Sequence, residues 1–277
     1  MSDPAGETVL ITGASSGIGL ELAREFAQDP LVRNGGRLVL VARNVPALET
    51  LATELKQKWN IQITILPGDL SLPETPQRLF KELEAAGIHV DVLVNNAGFG
   101  AIGPFDELPL DRQLEMIRVN VMALTELTRL FLPAMVKAGR GSILNVGSVA
   151  GFVPGPGMTV YYATKAFVGS FSEALAAELM GTGVNVSVLC PGPTPTNFGA
   201  VAGSKAIKLV RVSQTSAQKV ARDGYLAVRH GRIICVSGVQ NQFLVWLIRF
   251  TPKALVRRLV RKFNGFKRRG PVSGQSG

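Results

Sequence analysis

The stretch "TVYYATKAF", residues 159–167, sets two tyrosines about one helical turn ahead of a lysine. If a helix begins near Thr159, Tyr161 lies four residues before Lys165 and Tyr162 three, so either phenol shares a face with the ammonium. A phenol titrates near pH 10 and is a poor base at neutrality. A neighbouring cation stabilises the phenolate, which makes a Tyr and Lys pair a proton-transfer device. Helical spacing alone leaves both tyrosines as candidates.

A second group of residues can hold an anion. "TGASSGIG", residues 12–19, follows the apolar run "TVLIT" and precedes a helical stretch, with Gly13, Gly17 and Gly19 in the pattern G-x-x-x-G-x-G. Glycines there permit a tight turn, close approach to a pyrophosphate and a helix N-terminus whose amides favour negative charge. The second apolar run ends in "VARN", placing Arg43 where a dinucleotide site that accepts a free ribose hydroxyl commonly carries an acid. A guanidinium pairs with phosphate through two donors and does not lose its charge, which favours a 2′-phosphorylated cofactor, NADP(H).

The elements that must position these groups are visible as apolar runs at 8–12, 37–42, 61–67, 90–95, 141–147, 184–190 and 232–237. Each is nearly continuous in apolar character, which suits strands covered on both faces. Segments between them, such as 45–59 and 109–137, carry apolar residues at three- and four-residue spacing. Strand and helix in turn imply right-handed crossovers and an α/β fold, a Rossmann-like, doubly wound parallel sheet in a single domain over 7–237. Ligands of such sheets gather beyond the carboxyl ends of the strands.

The residues found there resemble the short-chain dehydrogenase/reductase family, in its NADP-preferring subgroup. The resemblance covers roughly residues 7–237 and rests on "TGASSGIG", "NNAG" (95–98), Asn120 in "RVNVMAL", Ser148 in "VGSVAG", "YYATK" and "PGPTPT" (191–196). The family pattern has its tyrosine four before the lysine and thirteen after the serine, which selects Tyr161. It implies carbonyl and alcohol interconversion by hydride transfer at nicotinamide C4. Tyr161 would be the proton donor and Ser148 would orient the carbonyl oxygen. Lys165 would hold the nicotinamide ribose and depress the Tyr161 pKa, and Asn120 would anchor a proton-relaying water chain. The resemblance assigns cofactor contacts to Gly13, Ser15, Ser16, Gly17, Ile18 and Gly19, to Arg43, Asp69 and Leu70, and to Asn95, Ala97 and Gly98. Further contacts fall on Tyr161, Lys165, Pro191, Gly192, Thr194 and Thr196. It also suggests a homo-oligomer, a dimer or tetramer. A rival reading within enzymes is a 3-oxoacyl thioester reductase, and one outside them a module that senses NADP(H) without turnover.

Substrate contacts are expected from "FGAIGPF" (99–105), "GFVPGPGM" (151–158) and the segment from Asn197 to about Val212. Phe99, Phe105, Phe152, Val153, Met158 and Phe198 make these loops apolar, which points to an apolar carbonyl or alcohol. The net charge of +10 is local: no acidic residue follows Asp223, whereas eleven Lys and Arg do, and residues 1–223 sum to −1. Residues 242–269 read as two short amphipathic helices broken at Pro252, a basic C-terminal extension spanning 238–269. Such a helix either lies in an anionic membrane interface or packs on protein. The polar end, 270–277, is expected to be disordered. Cys190 and Cys235 lie in strand-like runs without metal-ligand spacing, so no metal is expected. No apolar run approaches the length of a spanning helix, with "FLVWLI" (243–248) the nearest, and the start lacks a secretion pattern. The expectation is a cytoplasmic protein, its tail open to either peripheral membrane contact or packing on protein; nucleic acid is disfavoured because no reading motif accompanies the charge.

Overall fold

Val9 and Ile11 join one buried apolar cluster and Leu10 another, and all three are wholly inaccessible. Alternate residues of one strand face opposite sides, so a run apolar at every position needs cover on both. The computed structural model, which describes residues 6–195 and 215–265, supplies it. Seven strands form one sheet in the order β3-β2-β1-β4-β5-β6-β7, and every neighbouring pair is parallel. They are β1 (Thr8–Thr12), β2 (Arg37–Ala42), β3 (Gln62–Pro67), β4 (Val92–Asn95), β5 (Gly141–Val146), β6 (Val184–Cys190) and β7 (Ile234–Val236). The expected strands are all present, with β3, β4, β5 and β7 trimmed by one to two residues at their ends.

Helices α1 (Gly17–Ala27), α2 (Pro30–Arg33), α3 (Val45–Trp59) and α8 (Ala217–Arg229) close one face through Leu22, Phe26, Leu48, Leu55 and Val220. The other face is covered by α4 (Thr75–Ala85), α6 (Leu124–Ala138) and α7 (Thr159–Glu178) through Leu79, Leu83, Leu127, Phe131 and Ala176. Local chemistry sets the helix starts. Asn44 accepts from the Ala47 amide at 3.2 Å with Pro46 in the first turn of α3, and Ser216 accepts from the Lys219 amide at 3.2 Å ahead of α8. The first helix after β4, α5 (Leu110–Ile117), runs into α6 through a π-helical turn at Arg118–Ala123.

The continuous run Leu110–Ala138 has the length and apolar composition of a spanning helix. The sequence reading passed over it because Glu126 and Arg129 split its apolar residues into short runs. Leu127, Phe131 and Met135 spend that apolar character inside the core. The C-terminal extension forms α9 (Val239–Ile248) and α10 (Lys253–Phe263), separated at Pro252 as expected. Residues 270–277 lie outside the described residues.

Candidate active site

Strand order reverses at β1, whose neighbours are β2 on one side and β4 on the other. This switch point opens a crevice beyond the strand ends, and the residues there are tied across it. Thr12 Oγ1 accepts from the amides of Asn96 and Ala97, both at 3.0 Å, while Asn96 Nδ2 donates to the Thr12 carbonyl at 2.8 Å. Gly13 and Gly17 take φ of +66° and +57°, a region that L side chains rarely occupy. A Cβ on Gly19 would lie 2.3 Å from both Asn96 Nδ2 and the Gly13 carbonyl oxygen. The loop is therefore backbone packed against backbone, with space in front of it rather than within it. A cavity of about 370 Å³ lined by Ser15, Ser16, Gly17 and Leu20 on one side and Pro195 and Ser216 on the other stands at the start of α1. Ile18 turns inward against the core. A larger shallow concavity on the outer face of α3, lined by Glu49, Thr50, Thr53 and Gln57, includes none of these residues.

Replacing Gly19 by Ala is expected to displace Asn96 and the loop together, because the clash is with backbone and cannot be relieved by a rotamer. We expect a stability loss of about 1–3 kcal/mol together with weakened dinucleotide binding. Thermal melts and nucleotide titration on the variant check both.

Arg43, 65% exposed, stands after β2 with Nη1 3.6 Å from Asp69 Oδ2 and 3.8 Å from Glu115 Oε1. Burial pushes the Asp69 carboxyl upward, but the Ser71 amide and hydroxyl and the Arg43 guanidinium outweigh it and hold the group below its ordinary value. Exposed pairs of this kind contribute about 0–1 kcal/mol, so a phosphate can displace them. Leu70 beside Asp69 is buried in the core.

Beyond β4, Gly98 separates two functional side chains: a Cβ there would lie 3.0 Å from Asn120 Oδ1 and 3.4 Å from Lys165 Nζ. Asn120 sits in the π-helical turn and is fully buried. Its Nδ2 donates to the Phe99 carbonyl and to Thr164 Oγ1, both at 3.0 Å, and its Oδ1 accepts from the Phe99 amide at 3.1 Å. One carboxamide thus fixes the loop after β4 to the helix that carries the tyrosine and lysine. Beyond β5, Ser148 caps a 3₁₀ turn (Val149–Phe152), accepting from the Ala150 amide at 3.1 Å, and lies 3.4 Å from the Pro191 carbonyl oxygen. The Ser148 and Tyr161 side chains are hydrogen-bonded to each other. Lys165 Nζ donates to the Val146 carbonyl at 2.7 Å and lies 6.0 Å from the Tyr161 ring centroid. Gly192 and Thr194 follow β6, with a Cβ on Gly192 only 2.4 Å from Asn241 Nδ2, while Thr194 Oγ1 donates to the Gly192 carbonyl at 3.1 Å.

Four groups of distant sequence thus converge at one end of the sheet: a glycine loop, an arginine after β2, a loop locked by Asn120, and Ser148 with Tyr161 and Lys165. Residues 7–206 match the short chain dehydrogenase family. The chain belongs to the short chain dehydrogenase family. Over 273 residues it is 30% identical to the very-long-chain 3-oxoacyl-CoA reductase of Anas platyrhynchos, covering 94% of this chain and 80% of the other. It spans 62%, 59% and 62% of the length of three further curated relatives. It is 36% identical over 203 residues to the NADP-dependent 3-hydroxy acid dehydrogenase of Schizosaccharomyces pombe, covering 73% and 76% of the two chains. Among solved structures, a short-chain dehydrogenase from Sphingobium yanoikuyae in complex with NADPH superposes with a TM-score of 0.76 at 31% identity, covering 90% of this chain and 97% of that one.

The electrostatics of the dehydrogenase depart from the expected coupling of Lys165 to Tyr161. Burial dominates and pushes the Tyr161 hydroxyl up to about 12, the Ser148 hydrogen bond opposing it. Burial also pushes the Lys165 ammonium down to about 8. The protein's own groups hold the phenol as an acid through neutral pH, burial outweighing the Ser148 hydrogen bond.

The second tyrosine has a different task. The Tyr162 hydroxyl donates to Asn264 Oδ1 at 3.2 Å, and Asn264 Nδ2 donates to the Pro156 carbonyl at 2.9 Å. Asn264 caps α10, so the basic extension is latched to the loop 151–158. In that loop Met158 is buried and Phe152 packs on a third small apolar cluster with Val168 and Val188. Phe105 stands exposed, and the Phe99 ring is covered by the Arg112 guanidinium at 3.9 Å. Thr196, Phe198 and the segment 197–212 lie outside the described residues.

Three positioning residues escaped the sequence reading: Thr128, Asn145 and Ser172 draw the Asn95 side chain into a buried line, Asn95 Nδ2 donating to Thr128 Oγ1 at 3.1 Å and Asn145 Oδ1 at 2.9 Å, and Asn145 Nδ2 donating to Ser172 Oγ at 2.9 Å. What Asn95 can offer a cofactor is backbone, while its neighbour Asn96 grips the glycine loop. Strand alternation was the available signal, since consecutive residues leaving β4 face opposite ways.

Proposed function

We propose that this dehydrogenase interconverts a carbonyl and an alcohol with NADP(H), acting on an apolar substrate. The observation that carries the reading is the Ser148 and Tyr161 hydrogen bond, with the buried Lys165 ammonium 6.0 Å from the Tyr161 ring. The glycine loop, packed too tightly for side chains, offers backbone to a pyrophosphate, and Arg43 with its displaceable partners fits a 2′-phosphate. Thr194, Pro191 and Gly192 would border the nicotinamide end, and Lys165 retains donors beyond the one given to Val146 for ribose hydroxyls. When bound, the cofactor supplies a hydride to the carbonyl carbon. Tyr161, protonated at neutral pH, donates its proton to the carbonyl oxygen while Ser148 hydrogen-bonds the same oxygen. A sensing module without turnover has no need of a buried proton donor.

The names of several relatives favour a second reading, a 3-oxoacyl thioester as substrate. Turnover of acyl thioesters against simple lipophilic ketones separates the two. We further assign the protein to a reducing, cytoplasmic environment, which its two free cysteines support, and to a homo-oligomer, as its family membership suggests. Equilibrium binding of NADPH and NADH to the purified protein and to Arg43→Ala tests the cofactor site without a known substrate. Loss of one exposed charge-assisted contact is expected to weaken NADPH about tenfold and leave NADH nearly unchanged. Equal binding of the two nucleotides by both proteins sinks the role given to Arg43.

A further inference from the structure

The fold uses only half of the apolar stripe on α10. Val256 faces the body and is 7% exposed, whereas Leu255, Leu259 and Phe263, stacked at four-residue spacing beside it, are 45–56% exposed. On α9, Asn241 and Val245 are buried and the opposite side presents an aromatic row. Phe243 and Trp246 stack with centroids 5.9 Å apart, and Trp246 meets Phe250 edge-on at 5.2 Å. Trp246 is 56% and Phe250 71% exposed. Contiguous exposed apolar surface of this kind marks an interaction site.

Its charge identifies what it meets. Arg249, Lys253, Arg257, Arg258, Arg261 and Lys262 accompany the two helices, and none joins an ion pair among the described residues. On the wheel of α10, Arg258 and Lys262 border the outward stripe on its solvent side. No acid follows Asp223 in the chain, so a second copy docked symmetrically on this face would set six cations against six, with no acid on either helix to neutralise them. An anionic lipid surface satisfies both halves of the pattern, accepting Trp and Phe rings at headgroup depth and cations beside the phosphates.

We propose that the outer faces of α9 and α10 dock the protein peripherally on an anionic bilayer. The docked helix is the one latched through Asn264 to Tyr162 and Pro156, so its attachment reaches the substrate loop directly. The docking itself rests on the surface alone and stands apart from the proposed reaction.

The test is co-flotation of the full-length protein with vesicles of mixed phosphatidylcholine and phosphatidylglycerol, and with phosphatidylcholine alone. In a Trp59→Phe background the emission of Trp246 reports burial. We expect flotation and a blue shift with the anionic vesicles, reversal by high salt, and neither effect with the neutral ones. Arg258→Gln/Lys262→Gln should weaken partitioning about tenfold or more, and Trp246→Glu/Phe250→Glu should abolish it, with melting temperature and NADPH binding unchanged. Failure of the parent protein to float overturns the proposal. So does flotation indifferent to these substitutions, or a Glu variant that instead converts a stable dimer into monomer in sedimentation.

Discussion

Tyr161→Phe is expected to lower kcat by about a thousandfold, roughly 4 kcal/mol of transition-state stabilisation, while leaving the Kd for NADPH nearly unchanged. The substitution deletes one hydroxyl from a half-buried ring whose burial holds it as a proton donor to about pH 12. Ser148, the partner that orients the oxygen, is itself a far weaker acid and does not replace it. The contrast with the neighbouring ring makes the experiment decisive. Tyr162→Phe removes a hydroxyl directed at Asn264, so chemistry should persist while stability falls by about 1 kcal/mol and α10 loosens from the loop 151–158. Equal loss of kcat in the two variants would mean that the tyrosine was chosen wrongly. Loss of NADPH binding in Tyr161→Phe would mean that the ring is a structural support of the cofactor crevice.

The strands were legible because burial on both faces demands apolar residues at every position, a demand that only a covered parallel strand makes of a run such as "RLVLVA". Chain order also foretold which loops meet, since glycine loop, Asn120, Ser148 and Tyr161 each follow a strand. What could not be read were relations between side chains. "NNAG" offers two adjacent asparagines, and only the direction in which β4 ends sends Asn95 to Thr128 and Asn145 and Asn96 to the glycine loop. A π-helical turn at Arg118–Ala123 adds a residue to the helical repeat without altering composition, so its effect of bringing Asn120 between Phe99 and Thr164 has no sequence mark. The tail shows the same division: Pro252 marked the break between its helices, but which apolar residues would be packed depended on what lay beneath. The pKa values are the extreme case, because spacing places an ammonium near a phenol while burial decides the sign of each shift.

Lys165 turns that sign into a second expected result. Its ammonium is held down to about 8 by burial, while a lysine in the unfolded chain titrates near 10.4. The charged form is therefore present in the folded protein only below about pH 8, and the reductive rate at saturating cofactor should decline as pH rises through that value. Tyr161 remains protonated there, so the decline belongs to the lysine. Stability moves the other way. Between about pH 8 and 10.4 the unfolded state binds the extra proton, so stability should rise with pH across this window, by about 1–3 kcal/mol at most. Lys165→Met should remove this contribution to the rise and flatten the alkaline limb of the rate profile. Its kcat/KM should fall about a hundredfold or more, as expected for a group that positions the reacting partners. Denaturant melts at several pH values read the first effect and a pH–rate profile the second. A variant that is slow yet keeps the wild-type break near pH 8 would assign that break to another group. An unchanged slope of stability with pH would show that Lys165 stays charged in its buried position, with the Val146 carbonyl and its neighbours sufficient to solvate it.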